Sequence, residues 1–279
     1  MVKKVLVVAG CSHTQGSAFF IGIKNGKRVP PSPGIPLELS TPQLKKLYGK
    51  TAVTREWVSE QLTWGGKLKQ LGNYDSLVNL AQGGAGIATL TRRVLKYLVN
   101  YKDLSNHTFI FQIPSPERKE FYYREKDTSF PKLASLKHLL HSNQPNTYKN
   151  PEDIKKFILQ LYGKEYFEYQ AFEELYILQS LLEAKNATVR LFLQPFLEYA
   201  ITSIEQTTLL KRYLHPDSLP YSFLLENLNI IQTIEFDGKP SYKLGNAGLR
   251  EDDHHFTEQG NTKLAEYLHE NLDNTKNPN

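Results

Sequence analysis

The sequence predicts an α/β fold, a three-layer α/β/α sandwich around a central, mostly parallel five-stranded sheet. Three observations lead there. Short apolar runs of strand length alternate along the chain with longer helical patterns, the signature of repeated strand–helix–strand units with right-handed crossovers. The apolar runs are nearly continuous rather than alternating, as expected of parallel strands covered on both faces. Finally, 279 residues at 40% hydrophobic and 23% charged are too apolar and too weakly charged for disorder, so the chain folds by burying a core.

The first strand is Lys4–Ala9, within a buried run that starts at Val2 and ends in a tight turn. Val8-Ala9-Gly10-Cys11 after Lys3-Lys4 also resembles a lipoprotein cleavage site, but the apolar run Val5–Val8 is far shorter than the roughly 7–15 residues of a secretory segment. The strand reading is preferred, and the expectation is an intracellular chain without an export signal. A helix over Thr54–Leu71, capped by Thr54, leads to a strand at Ser76–Ala81. A helix at Ile87–Tyr101 precedes the strand Thr108–Ile113. Asn150-Pro151-Glu152-Asp153 opens a helix through Tyr162, with a capping side chain, a proline at the first position and acids in the first turn. The helix Glu165–Lys185, the strand Thr188–Leu193, the helix Ile201–Tyr213, the strand Ile230–Phe236 and the helix Thr257–Asn271 complete the alternation.

Two stretches interrupt it. Proline-rich residues 19–50 and polar residues 120–149 read as long surface insertions into one domain spanning residues 1–273, with 274–279 a flexible tail. No internal repeat is present.

The net charge of +5, from 34 basic and 29 acidic residues, raises the question of a nucleic-acid partner. Lys45, Lys46 and Lys50, then Arg92, Arg93 and Lys96, are the modest clusters, and each sits among apolar residues at helical spacing. They read as solvated faces, and no nucleic-acid partner is expected. No stretch approaches the roughly 20 apolar residues of a membrane span. The lone Cys11 cannot form a disulfide within the chain, which fits a reducing compartment.

Chemistry begins where the first strand ends, at Gly10-Cys11-Ser12-His13-Thr14-Gln15-Gly16. A serine at the carboxyl end of a parallel strand sits where such sheets place their ligands, and flanking glycines let the backbone turn sharply. On this segment alone, a nucleophile and a plain glycine-rich turn remain equally open readings. Before the last helix stands Glu251-Asp252-Asp253-His254-His255-Phe256-Thr257. A serine needs a base, and the base a carboxylate, which His255 and Asp252 could supply from one loop. Two Asp and two His could instead ligate a metal, although His138 and His141 are spaced like one helix face and give no clear further partner. A polar helix cap at Thr257 is the third reading.

Together the two ends resemble the SGNH (GDSL-type) hydrolase family. Its first block, Gly-Asp-Ser-x-x-x-Gly, corresponds to Gly10–Gly16 with Cys11 in place of the aspartate. Its second, an Asn followed five residues later by Gly, corresponds to Asn79 and Gly84, and its last, Asp-x-x-His with a later Gly, to Asp252, His255 and Gly260. The resemblance implies Ser12 as nucleophile, His255 rather than His254 as base, Asp252 as its partner, and the Ser12 and Gly84 N–H groups as oxyanion donors. The third block departs from the family. Where Gly-x-Asn-Asp is expected, the chain has Phe111-Gln112-Ile113-Pro114-Ser115-Pro116-Glu117-Arg118. Losing one oxyanion donor typically costs about 10²–10³ in turnover, so either Ser115, Gln112 or Arg118 substitutes or the enzyme is weak; Ser115 is the expected replacement, with Gln112 and Arg118 also as substrate-binding candidates. The Gly-Cys-Ser start, the Ser-Pro-x-Arg and the helix leading into Val189–Leu193 look like a divergent branch carried by tailed phages and some bacteria.

The implied activity is hydrolysis of a short-chain or O-acetyl ester, such as one on a glycan, through an acyl-Ser12 intermediate without metal or cofactor. The implied partner is that small ester or acylated glycan, with no nucleic acid or membrane, in a cytoplasmic or phage-encoded intracellular setting. The alternative is a binding or structural module that keeps the scaffold without the chemistry.

Overall fold

The computed structural model describes residues 3–16, 22–24, 27–29, 55–114, 120–123, 132–135, 164–193, 219–231 and 258–272. In chain order these form β1 (Val5–Ala9), α1 (Ser12–Gln15), β2 (Gly22–Lys24), β3 (Lys27–Val29), α2 (Arg55–Gln61), α3 (Trp64–Leu71), β4 (Ser76–Asn79), α4 (Ile87–Leu98) and β5 (His107–Ile113). Then follow β6 (Glu120–Tyr123), β7 (Lys132–Ser135), α5 (Lys164–Glu183), β8 (Thr188–Leu193), α6 (Tyr221–Asn227), β9 (Ile230–Ile231) and α7 (Glu258–Asn271). Five strands make one parallel sheet in the order β4-β1-β5-β8-β9. Numbered along the chain, that is the 2-1-3-4-5 order of flavodoxin-like doubly wound sheets, whose ligands bind at the carboxyl ends of the strands.

Alternate residues of each strand point to opposite faces, and both faces are covered. Val7, Ala9, Phe109, Phe111 and Leu191 pack against α4, α5 and α6 through residues such as Leu90, Val94, Phe172 and Leu224. Leu6, Val8, Ile110 and Phe192 pack against α3 and α7 through Trp64, Leu68, Leu264 and Leu268. A strand whose two faces meet helices cannot carry polar residues on alternate positions, which explains the continuous apolar runs. The three layers follow directly from this division. No helix among the described residues is long and apolar enough to cross a membrane.

The structure corrects the helix expected over Thr54–Leu71. Two helices stand there, broken at Leu62-Thr63. Thr63 has extended backbone angles (φ −81°, ψ 159°), and its hydroxyl accepts from Gly66 N at 3.3 Å and donates to Ser59 O at 2.6 Å. One side chain thus ends α2 and caps α3. Gly66 is required at this corner, because a Cβ there would run into the backbone of Ser59 and Glu60. The short helix α6 was not expected. It carries one fully buried residue, Leu224, and is held from outside: Tyr221 OH donates to Glu168 Oε1 at 2.9 Å, and Tyr169 OH donates to Leu219 O at 2.9 Å.

Each insertion contains a two-stranded antiparallel ladder, β2 with β3 and β6 with β7. The helices expected at Pro151–Tyr162 and Ile201–Tyr213, and the strand Ile230–Phe236 beyond Ile231, lie outside the described residues.

His107, at the start of β5, is 4% exposed and enclosed by Tyr97, Tyr101 and Phe109. Its Nδ1–H faces Asn106 Oδ1 at 2.7 Å, leaving Nε2 to accept from Tyr97 OH at 3.0 Å. Burial holds its pKa below the ordinary 6.5, against a weaker opposing pull from Asp103. The unfolded chain therefore binds a proton that the folded chain refuses, and stability falls as pH drops below 6.5. The urea midpoint is expected to decrease between about pH 7.5 and about pH 5.5, less steeply in His107→Gln than in the wild type.

Candidate active site

The site is built on the turn that leaves β1. A Cβ on Gly10 would meet Thr14 Oγ1 and lie 2.9 Å from Gln112 Cβ, so glycine alone lets the chain pass this close to β5. The single helical turn of α1 is closed by Gln15 N to Cys11 O at 3.0 Å, and Gly16 leaves it in the left-handed region (φ +74°). Ser12 is the first residue of that turn and is described through its backbone.

Bonds from both neighbouring strands hold the turn in place. From the β5 side, Gln112 Oε1 accepts from Thr14 Oγ1 at 2.6 Å and from Cys11 Sγ at 3.8 Å. From the β4 side, Asn79 Nδ2 donates to Thr14 O at 3.0 Å and to Ser59 Oγ at 2.9 Å, while its Oδ1 accepts from Ala81 N at 3.0 Å. The loop after β4 adds Gln82 N to Gly10 O at 3.2 Å and Gly83 N to Gln15 Oε1 at 2.8 Å. Asn79, read from sequence as a motif landmark, is thereby committed to joining β4, α1 and α2. Thr14 and Gln15 are positioning residues that sequence reasoning missed; nothing local in the chain marks a bond between positions 14 and 112.

Gly84 stands next to the anchored Gly83 with φ +76°, a conformation that favours glycine, and open space surrounds it. Its N–H has no hydrogen-bond partner among the described residues. A free backbone donor on an exposed turn, tied through Gln15 to the helix that begins at Ser12, is the arrangement an oxyanion would use. Gln112 is fully buried beneath the turn. Its two donors fix the carboxamide orientation, and its Nε2 has no partner among the described residues. Such an unspent buried amide costs about 1–3 kcal/mol.

The first turn of α7 carries the buried Gly260 and Asn261. Asn261 Oδ1 accepts from Trp64 N at 2.8 Å, setting the amino ends of α3 and α7 side by side. Trp64 packs edge-on against Phe192 near the carboxyl end of β8, and at the other end of α7 Leu272 O accepts from Arg190 Nε at 2.8 Å. The first turn of α7 therefore lies at the same rim as α1. Asp252 and His255 precede α7 in the chain and, like Ser115 and Arg118, lie outside the described residues.

A cavity of about 290 Å³ opens beside the last residue of α1, lined by Gln15, Glu56, Ser59, Asn79, Ala81 and Arg93 among others. That volume is at the lower end for small-molecule sites. Arg93 Nη1 donates to Gln82 Oε1 at 3.0 Å, which ties this wall to the Gly83-Gly84 turn. Among the described residues, no group of three or more His, Cys, Asp or Glu side chains is placed to hold a metal ion.

No family model and no curated protein matches the sequence. Solved structures similar to this chain include TesA, at 13% identity and a TM-score of 0.45, covering 96% of this chain and 98% of that one. The psychrotrophic esterase EstA from Pseudoalteromonas sp., inhibited by monoethylphosphonate, is 11% identical with a TM-score of 0.42 and covers 98% of each chain. A carbohydrate esterase whose active site is described as having divergent catalytic and non-catalytic binding functions is 12% identical with a TM-score of 0.42, covering 99% of this chain and 70% of that one. Similarity at this level assigns no activity to this chain.

Proposed function

We propose that this chain is an SGNH-type serine ester hydrolase that transfers an acyl group to Ser12 and then to water. The observation that carries the reading is the free Gly84 N–H on its left-handed turn, tied through Gly83 and Gln15 to the helix that Ser12 begins. In this reading His255 removes the Ser12 Oγ proton as Oγ attacks the ester carbonyl, and the carbonyl oxygen takes the negative charge. The Ser12 and Gly84 N–H groups stabilise that oxyanion, and Asp252 steadies the imidazolium. The C–O bond to the alcohol then breaks, the alcohol oxygen taking the proton from His255. Water, deprotonated by the same imidazole, attacks the acyl-enzyme and releases acid and free serine. Ser115 serves as the third oxyanion donor and Arg118 contacts the substrate. Gln112, being buried, acts by holding Thr14 rather than by reaching the ester. The substrate class is a short-chain or O-acetyl ester, with a carbohydrate as one possible alcohol portion, and the 290 Å³ cavity beside α1 suits a small group.

The test needs no knowledge of the substrate. Intact-mass analysis after exposure to a small fluorophosphonate is expected to show one adduct on the wild type and none on His255→Ala. A folded wild type that takes no adduct would overturn the reading and leave a scaffold that binds without catalysis, the outcome favoured by the missing third-block Asn.

A further inference from the structure

One side of the described surface is conspicuously apolar. Five large hydrophobic side chains are exposed among the described residues, and four of them, Leu95, Val99, Ile177 and Leu181, belong to the α4 and α5 side of the molecule. Val99, the C-cap of α4, is 81% exposed. Thr91, Leu95 and Val99 recur every fourth position, one stripe along α4 beside its buried face. Ile177 and Leu181 make the matching stripe on α5, and a groove of about 310 Å³ runs between the helices over Leu178. Both helices return from the carboxyl to the amino rim between parallel strands, so the stripes lie side by side in the same direction.

The charges on this face are divided by helix. Arg92 and Lys96 are exposed on α4, whereas Glu173 and Glu174 line the groove from α5. A half-turn about an axis parallel to the helices lays α4 of one copy over α5 of another. Apolar stripe then meets apolar stripe, and the basic residues of α4 in each copy face the acidic residues of α5 in its mate. A purely basic or purely acidic partner would match one helix and be repelled by the other, while a second copy satisfies both at once.

We propose that the α4–α5 face is a self-complementary homodimer interface. It is independent of the chemistry at Ser12. With 12 residues, α4 offers a contact about 18 Å long, at the small end of specific interfaces, so association in the micromolar range is expected.

Sedimentation velocity across a concentration series is the test. The wild-type mass is expected to rise from 32.0 kDa toward twice that value as concentration increases through the micromolar range. The double variant Ile177→Lys/Leu181→Lys should remain at 32.0 kDa throughout, with an unchanged far-UV spectrum because both positions are already exposed. Arg92→Glu should weaken association at least tenfold, and adding Glu173→Lys should restore it. A wild type that stays monomeric over the whole series overturns the proposal. So does a dimer that the double variant leaves intact.

Discussion

Ser12→Ala is expected to lower kcat for an activated short-chain ester by about 10⁴-fold or more, while stability changes by no more than about 0.5 kcal/mol. The first part follows from the reading of Ser12 as nucleophile: without its oxygen no acyl-enzyme forms, and the remaining catalysis is whatever the N–H groups of residue 12 and Gly84 provide to direct attack by water. The second part follows from the geometry of α1. The described bonds that hold the turn run through Gly10 O, Cys11, Thr14 and Gln15 to Asn79, Gln82, Gly83 and Gln112. An alanine leaves every one of them in place. Steady-state hydrolysis of p-nitrophenyl acetate beside a urea titration measures both quantities on one preparation. Undiminished turnover in the variant would remove Ser12 from the mechanism.

Trp64→Ala is expected to destabilise the fold by about 3–5 kcal/mol, the range for deleting a large aromatic from a core. The indole is fully buried in the layer between the sheet and α3–α7, and it stacks edge-on against Phe192 with ring centroids 5.2 Å apart. Leu6, Val8, Ile110 and Leu264 share its cluster. Its absence leaves a void between two helices and the sheet that backbone shifts can fill only in part. Trp64→Phe should cost markedly less. Indole Nε1 has no hydrogen-bond partner among the described residues, so removing it relieves an unsatisfied donor and partly offsets the lost volume. Urea unfolding followed by far-UV circular dichroism separates the variants, and a loss below about 1 kcal/mol for the alanine would contradict the packing described.

The sheet was readable from the chain because each central strand is covered twice, leaving apolar runs such as Phe109-Ile110-Phe111 with no polar alternation to confuse the period. The turn that carries Ser12 was legible for a related reason, since it lies just beyond a strand that the pattern marks, whereas the roles of Ser12 and Gly84 rest on the motif resemblance. The break at Thr63 was not, because Val58, Leu62 and Leu68 continue one apolar face through it, while the capping bond joins Thr63 to Gly66 without disturbing that pattern. For α6 the sequence has no period to show: seven residues offer a single buried leucine. Between β2 and β3 the chain reads Asn25-Gly26, the strongest short-range hairpin signal, which the run of prolines that follows from Pro30 obscured. The bonds that anchor α1 span 65 positions from Asn79 to Thr14 and 98 from Thr14 to Gln112, distances over which residue spacing says nothing. Asp252 and His255 rest on the motif resemblance and on what a serine nucleophile requires, Ser115 and Arg118 on their place where the third motif block departs, and all four lie outside the described residues.

The bond from Trp64 N to Asn261 Oδ1 joins positions 197 apart. A ribosome adding about 5–20 residues per second would expose the turn at Ser12 ten seconds or more before the segment that follows His255. On the proposed reading, the nucleophile then waits without a base until α7 docks beside α3. A nascent chain of this kind cannot attack esters in its surroundings while still being made. Activity would switch on with the last long-range contact, making ester hydrolysis a reporter of completed folding.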